Sequence, residues 1–375
     1  VKKLLVAFFL GVALVCVGFI VLKGALTRAA HRQWPAGLGP IASVPERFPR
    51  TTANRSALEL NRLAAGVAID FMSPTAPEPD LDEIAGYVRA QLQRPDADID
   101  EPPARVRAFL NSRRSAIDAV RAHLLAAEAP RWDIDLSDGR PAPRFVAHVH
   151  LHRLFVARAL DRARSGDAGA WDDLHAAWKA AQPLNARPEV ISALIHLSLL
   201  RGVNTAARKM PFPAPPWFEE IRSFDARRAM LAAMQSESWI ISRSMEASSA
   251  HRPGGPLFRF VVPMFVSSMR ESSTHLYGVS DCAFDVEAYV KAPWWDALAQ
   301  GDIGNIQAGW ARVYRFELER ELTERAFALR GGITPSTGSR CEGGQWIVSP
   351  DGLKFNRRIP PPGPPAAALP LEFRP

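Results

Sequence analysis

Residues 188–210 read PEVISALIHLSLLRGVNTAARKM. Proline suits the opening turn of a helix, where its missing N–H removes no hydrogen bond, so Pro188 starts one. The residues after it are apolar on most sides instead of along one stripe, the pattern of a helix central to a core. Such a helix needs others around it, and the sequence on both sides supplies them.

Towards the N-terminus, Gly166-Asp167 is a break, and Asp167 caps AGAWDDLHAAWKAA, with Trp171, Leu174 and Trp178 on one face. Residues 144–164 form the helix before it. Pro102 and Pro103 open another, which carries Val106, Phe109, Leu110, Ile117, Val120 and Leu124 inward. Asp80-Leu81-Asp82-Glu83 has the acid-x-x-Glu form of a helix start and places Leu81, Ile84, Val88 and Leu92 on one side. In residues 54–71, Leu60, Leu63, Val67 and Phe71 keep helical spacing. Towards the C-terminus, long helices are expected from about Asp225 to Ser249 and over 304–330, where Gly331-Gly332 ends the second. Short turns at Gly166-Asp167 and at Pro183–Pro188 make neighbours antiparallel. No repeat of about 34 residues recurs. The expected fold is mainly α: an irregular antiparallel helical bundle over residues 54–330.

The ends differ. In 331–375, Gln345–Val348 and Leu353–Phe355 flank Ser349-Pro350-Asp351-Gly352, which predicts a small β-hairpin followed by a Pro-rich tail. Residues 4–22, LLVAFFLGVALVCVGFIVL, are nineteen uncharged residues. At ~1.5 Å each they reach about 28 Å, close to the hydrocarbon thickness of a bilayer. The run is longer than a signal-peptide core and lacks an A-x-A-like cleavage site, so it is read as an uncleaved single-pass anchor. Lys2 and Lys3 face Lys23, Arg28 and Arg32 across it, a near tie in positive charge. Residues 1–3 are therefore placed in the cytoplasm, and the bulk of the chain outside it, on the prior that a short tail stays behind. Residues 23–53, basic and then rich in proline, read as a linker.

The chain of 375 residues carries a net charge of +7, but 39 of its 46 basic residues are Arg and they are dispersed among 39 acidic ones. That distribution does not point to nucleic acid. The chain has three cysteines and no CxxC. Cys16 lies in the apolar run. Cys282 and Cys341 can pair as a disulfide outside the cytoplasm, stapling the hairpin to the helical body, or stand as two separate thiols.

Chemistry-bearing residues are few. His148, His150 and His152 alternate, but on a helix only His148 and His152 share a face, and no HExxH or nearby carboxylate completes a metal site. Glu189, Ser192 and His196 share a face of the apolar helix, as an acid–base pair would, although a carboxylate in a first helical turn also serves the helix dipole. Glu237 stands among apolar residues near Trp239, where an ion pair with Arg227 or Arg243 competes with a catalytic role. Arg107, Arg114 and Arg121 recur every seven residues as a basic stripe. Residues 257–266, LFRFVVPMFV, form either a core segment or an apolar patch, and FELERELTER at 316–325 has the charge spacing of an exposed helix face. Neither GxxxxGK[ST], GxGxxG nor G-x-S-x-G occurs, so no cofactor is implied. The expected function is a non-enzymatic one: an anchored extracytoplasmic scaffold that binds a protein partner within a membrane complex. A hydrolase using Glu189, His196 or Glu237 is the first alternative. A lipid- or apolar-ligand-binding domain with a cavity near Phe258, Phe260, Met264 and Phe265 is the second.

Overall fold

The computed structural model describes residues 32–73, 78–136, 144–249, 255–282, 297–359 and 369–375, together with Gly11, Leu14, Val17, Gly18, Val21, Gly24, Ala25 and Arg28; at 248–249, 255–261, 264 and 297–308 it describes the backbone alone. Its main helices are α1 (Arg55–Ala64), α2 (Pro79–Gln93), α3 (Ala104–Ser112), α4 (Arg114–Ala126), α5 (Phe145–Arg164), α6 (Ala170–Asn185), α7 (Val190–Ala207), α8 (Ala226–Ser249), α9 (Gly255–Gly278) and α10 (Ala297–Arg330). The chain is mainly helical, with one small antiparallel sheet at its C-terminus.

Helix α7 is the hub, packed against α2, α5, α6, α8 and α10. Leu197, Leu200, Val203, Ala206 and Ala207 are all buried in the main core. Helix α5 runs along α6 and α8 along α9, and Gly166 makes the first turn with a positive φ of 74°. Alanine supports this close packing. Ala176, Ala177, Ala180, Ala206 and Ala207 are fully buried, and small side chains let neighbouring helix backbones approach.

Several expectations are corrected. The helix expected from Pro103 through Leu124 is two, broken at Arg113. Arg107 and Arg121 therefore sit on different helices, and the basic stripe dissolves: Arg107 pairs with Glu101, while Arg121 reaches Asp118 at 3.0 Å and Asp173 at 3.1 Å. The expected linker is in part folded body. Trp34, Ile41 and Val44 are buried, Arg47 donates to Gln235 Oε1 at 2.6 Å, and Gln235 donates to the Gly39 carbonyl at 3.0 Å. Its apolar residues lack a helical period because prolines divide it, yet they still bury. The segment 257–266 lies in α9, and Val262, Phe265 and Val266 are buried. The side chains of Phe258, Phe260 and Met264 lie outside the described residues.

The largest correction is FELERELTER. Glu319 is fully buried, and Arg320 and Glu321 nearly so. Glu319 accepts a bidentate pair from Arg201 at 2.8 Å and a third bond from Arg315 at 3.2 Å. Glu317 pairs with Arg227 at 2.8 Å. Burial alone raises a carboxyl's pKa, but the surrounding guanidiniums, Arg201 first, hold Glu319 below the ordinary value. Helix α10 lies between α7, α8 and the sheet, so its charged face points inward to partners far away in sequence.

The sheet has order β1 (Trp346–Ser349), β2 (Gly352–Phe355), β3 (Glu372–Phe373), antiparallel throughout. The hairpin is as expected, with Trp346 opposite Phe355. Its last corner needs glycine. Gly352 has φ 133°, and a Cβ there would lie 2.1 Å from the Phe373 carbonyl oxygen. Glu321 fastens the sheet to α10 by accepting from Trp346 Nε1 at 2.9 Å and from the Arg340 N–H at 2.8 Å.

Of the run 4–22, only Gly11, Leu14, Val17, Gly18 and Val21 are described; they are helical, and Leu14, Val17 and Val21 are exposed. The rest of the expected membrane helix lies outside the described residues. Among the described residues one helix is long and apolar enough to cross a membrane by length and composition. It is α7, with 67% of it buried inside the protein, as befits a core helix.

Candidate functional site

The nominated acid–base residues gather at the start of α7, each in a structural bond. Glu189 is the residue preceding the helix. Its carboxylate accepts from Arg187 at 2.6 and 3.1 Å and from Ser192 Oγ at 2.9 Å. Glu237, from α8, accepts from the Val190 N–H at 3.0 Å, so it caps a neighbouring helix. Its expected partners are engaged elsewhere: Arg227 with Glu317 and Arg243 with Glu246. His196 is buried two turns further on, edge-on to Phe224, with Gln182 Nε2 3.4 Å from its Nε2. Burial lowers its pKa to about 3, so the ring is neutral. Glu189 binds Arg187 and Ser192, not His196.

His148 and His152 share a face of α5, as expected, and both are buried. His148 Nδ1 donates to the Ala180 carbonyl at 2.8 Å. That carbonyl can only accept, which assigns the proton to Nδ1. Phe71 and Trp132 stand edge-on to this ring. Among the described residues no group of three or more His, Cys, Asp or Glu side chains is arranged to hold a metal. Cys282 and Cys341 are both buried and unbonded, and the Cys282 backbone N–H donates to Cys341 Sγ at 2.9 Å.

A cavity among the described residues lies elsewhere, where sequence reasoning raised no expectation of one. It holds about 370 Å³ between α2, α5 and α7, within the range of small-molecule sites. Helix α7 contributes Ile191, Leu194, Ile195, Ser198, Leu199 and Gly202, and α2 contributes Ala85, Val88 and Leu92. The α7 positions fall at i, i+3, i+4, i+7, i+8 and i+11, one unbroken helical face. The opposite face of α7 is core, which explains a helix apolar on most sides: one side is packed and the other lines a cavity. Ile191 is 48% exposed.

Set into this apolar wall are Arg89, Arg153, Arg201 and Arg312, with no carboxylate on the lining. Arg201 is neutralised by Glu319. Arg89, Arg153 and Arg312 make no ion pair within 4 Å to another described residue. Burial lowers the pKa of Arg153, and the charge of Arg89 lowers it further; burial and then Arg201 do the same to Arg312. At Arg153 the charge of Asp82 opposes these effects in part. His152 completes the lining. It is 3% exposed, and neither ring nitrogen has a partner of hydrogen-bonding geometry. Burial lowers its pKa to about 3, with Arg153 acting the same way and the Leu199 backbone opposing, so the ring is neutral. Gly202 makes room for it: a Cβ there would lie 2.9 Å from His152 Cε1.

Sequence reasoning placed Val88, Leu92 and α7 in the core and His152 in a weak metal pair, and it missed Arg89, Arg153 and Arg312. The available signal was the surplus of apolar residues on α7 beyond what one buried face requires. No protein-family model matches this chain, and neither does any curated protein or solved structure.

Proposed function

We propose that this chain is a membrane-anchored helical protein that binds a small anionic amphiphile, with an acidic head and an apolar body, in the cavity between α2, α5 and α7. One observation carries the reading: Arg153 and Arg312, half-buried and without an ion pair to another described residue, stand on an apolar wall beside the buried His152 ring. Holding Arg153 and Arg312 half-buried without an ion pair costs stability that a bound anion would offset. Arg forks suit carboxylate or phosphate heads, and the isoleucine and leucine face of α7 suits a hydrocarbon. The nineteen-residue run 4–22 supports anchorage, and anchorage brings the cavity to a surface where such molecules concentrate. The hydrolase reading has less to stand on, because Glu189 and Glu237 already take bonds at the start of α7. A scaffold role makes no demand on this cavity, whereas ligand binding does.

The test uses the full-length protein in lipid nanodiscs. Octyl phosphate should displace a fluorescent apolar anion, anilinonaphthalene sulfonate, at micromolar concentration, while octanol and inorganic phosphate should not. The doubly substituted R153Q/R312Q protein should bind about 10-fold or more weakly with unchanged circular dichroism, the loss of two charge-assisted contacts. Equal binding by the folded double variant, or equal competition by octanol, would refute the assignment.

A further inference from the structure

The two buried cysteines stand at one junction. Residues 280–282, after the end of α9, lie along the loop 338–344 that leads into β1. Glu342 N–H donates to the Ser280 carbonyl at 3.0 Å, Ser280 Oγ donates to Glu342 Oε2 at 2.5 Å, and Arg357 donates to Asp281 Oδ1 and to the Glu342 carbonyl at 2.8 Å each. These bonds hold Cys282 against Cys341. The Cys282 N–H donates to Cys341 Sγ at 2.9 Å, and the Cys282 thiol lies 3.9 Å from the Ser280 carbonyl oxygen. Cys282 is 7% exposed and Cys341 1%.

We infer that Cys282 and Cys341 form an intramolecular disulfide in the working protein, closing the C-terminal sheet onto the helical body. The reaction is thiol–disulfide exchange with a disulfide-bearing oxidant. One protein thiolate attacks the oxidant's disulfide, forming a mixed disulfide and releasing one of its halves as a thiolate. The second protein thiolate then attacks the protein sulfur of that mixed bond and releases the other half. Two protein thiols are oxidised, the oxidant is reduced to two thiols, and the two protons pass to its released thiolates. Exchange precedes docking of the hairpin, since both sulfurs are buried afterwards. The inference is independent of the cavity. It requires an oxidising compartment for the body, so it also tests the placement outside the cytoplasm.

The experiment counts free thiols. Full-length protein is extracted from membranes in denaturant with a maleimide present and no reductant, and its intact mass is measured. The chain has three cysteines, so one adduct per molecule, on Cys16, is expected without reductant and three after reduction. Digestion should yield a peptide pair joined at 282 and 341. Reductant should lower the Tm of the wild-type protein by several degrees and leave the folded C282S/C341S protein unchanged. Three adducts without reductant would overturn the inference, as would a linkage between different chains. A reductant-insensitive Tm would remove the stapling role.

Discussion

At the scale of single residues, the body contains imidazoles that carry no charge. Burial lowers the pKa of His148 to about 4, and of His152 and His196 to about 3. Unfolded, each would titrate near 6.5. A histidine whose folded pKa is depressed contributes stability that is complete above its unfolded value and is lost as the pH falls towards the folded one. Stability should therefore hold from pH 8 to about 6.5 and decline below it, by about 1.4 kcal/mol per pH unit for each ring. Urea unfolding between pH 7.5 and 5 checks this, and a flat profile across that interval would count against neutral buried rings. The position of these histidines on α5 and α7 was legible in the sequence. Their protonation state was not, because it depends on what covers them: Ala180 and Phe71 for His148, Phe224 for His196.

At the scale of elements, the contact between α5 and α7 is set by one glycine. An alanine at position 202 would press its methyl into His152 Cε1 at 2.9 Å. The ring is buried, so it cannot swing aside freely. Gly202→Ala should cost about 1–3 kcal/mol, the range of overpacked cores, although alanine is the better helix former by about 1 kcal/mol. Denaturant unfolding measures the difference, and a more stable variant would show that the ring moves without strain. Ligand affinity should fall too, since the displaced ring faces the cavity. Helix periods were readable from apolar spacing, and the limits of α5 and α8 lie within a residue or so of expectation. The break at Arg113 was not readable, because no Gly or Pro marks it and the apolar spacing runs straight through. Helix α10 misled in the opposite sense. Its alternating charges match an exposed face by local rule, but Arg201 and Arg227 neutralise Glu319 and Glu317, and Trp346 donates to Glu321, from elsewhere in the chain.

At the scale of the whole molecule, the folded body begins near Trp34, which is buried, and the apolar run lies before it. Removal of residues 1–31 should therefore give a protein that stays in solution without detergent and keeps the helical circular dichroism of the full chain, whereas the full chain should sediment with membranes. Aggregation of the shortened protein, or full-length protein recovered in the soluble fraction, would contradict an anchor at 4–22. The same scale separates two kinds of information. Local spacing by itself determined that the chain is helical, that α7 is central, that a hairpin follows the last helix and that nineteen apolar residues stand near its start, because helices, turns and apolar runs are encoded by neighbours a few residues apart. Only tertiary structure decided that Glu319 is buried among arginines, that Glu189 and Glu237 serve the start of α7, that Cys282 meets Cys341, and that Arg89, Arg153 and Arg312 converge on one cavity. Each of those depends on groups brought together from distant parts of the chain, and the energy of a charge or a thiol is set by such neighbours and not by its place in the sequence.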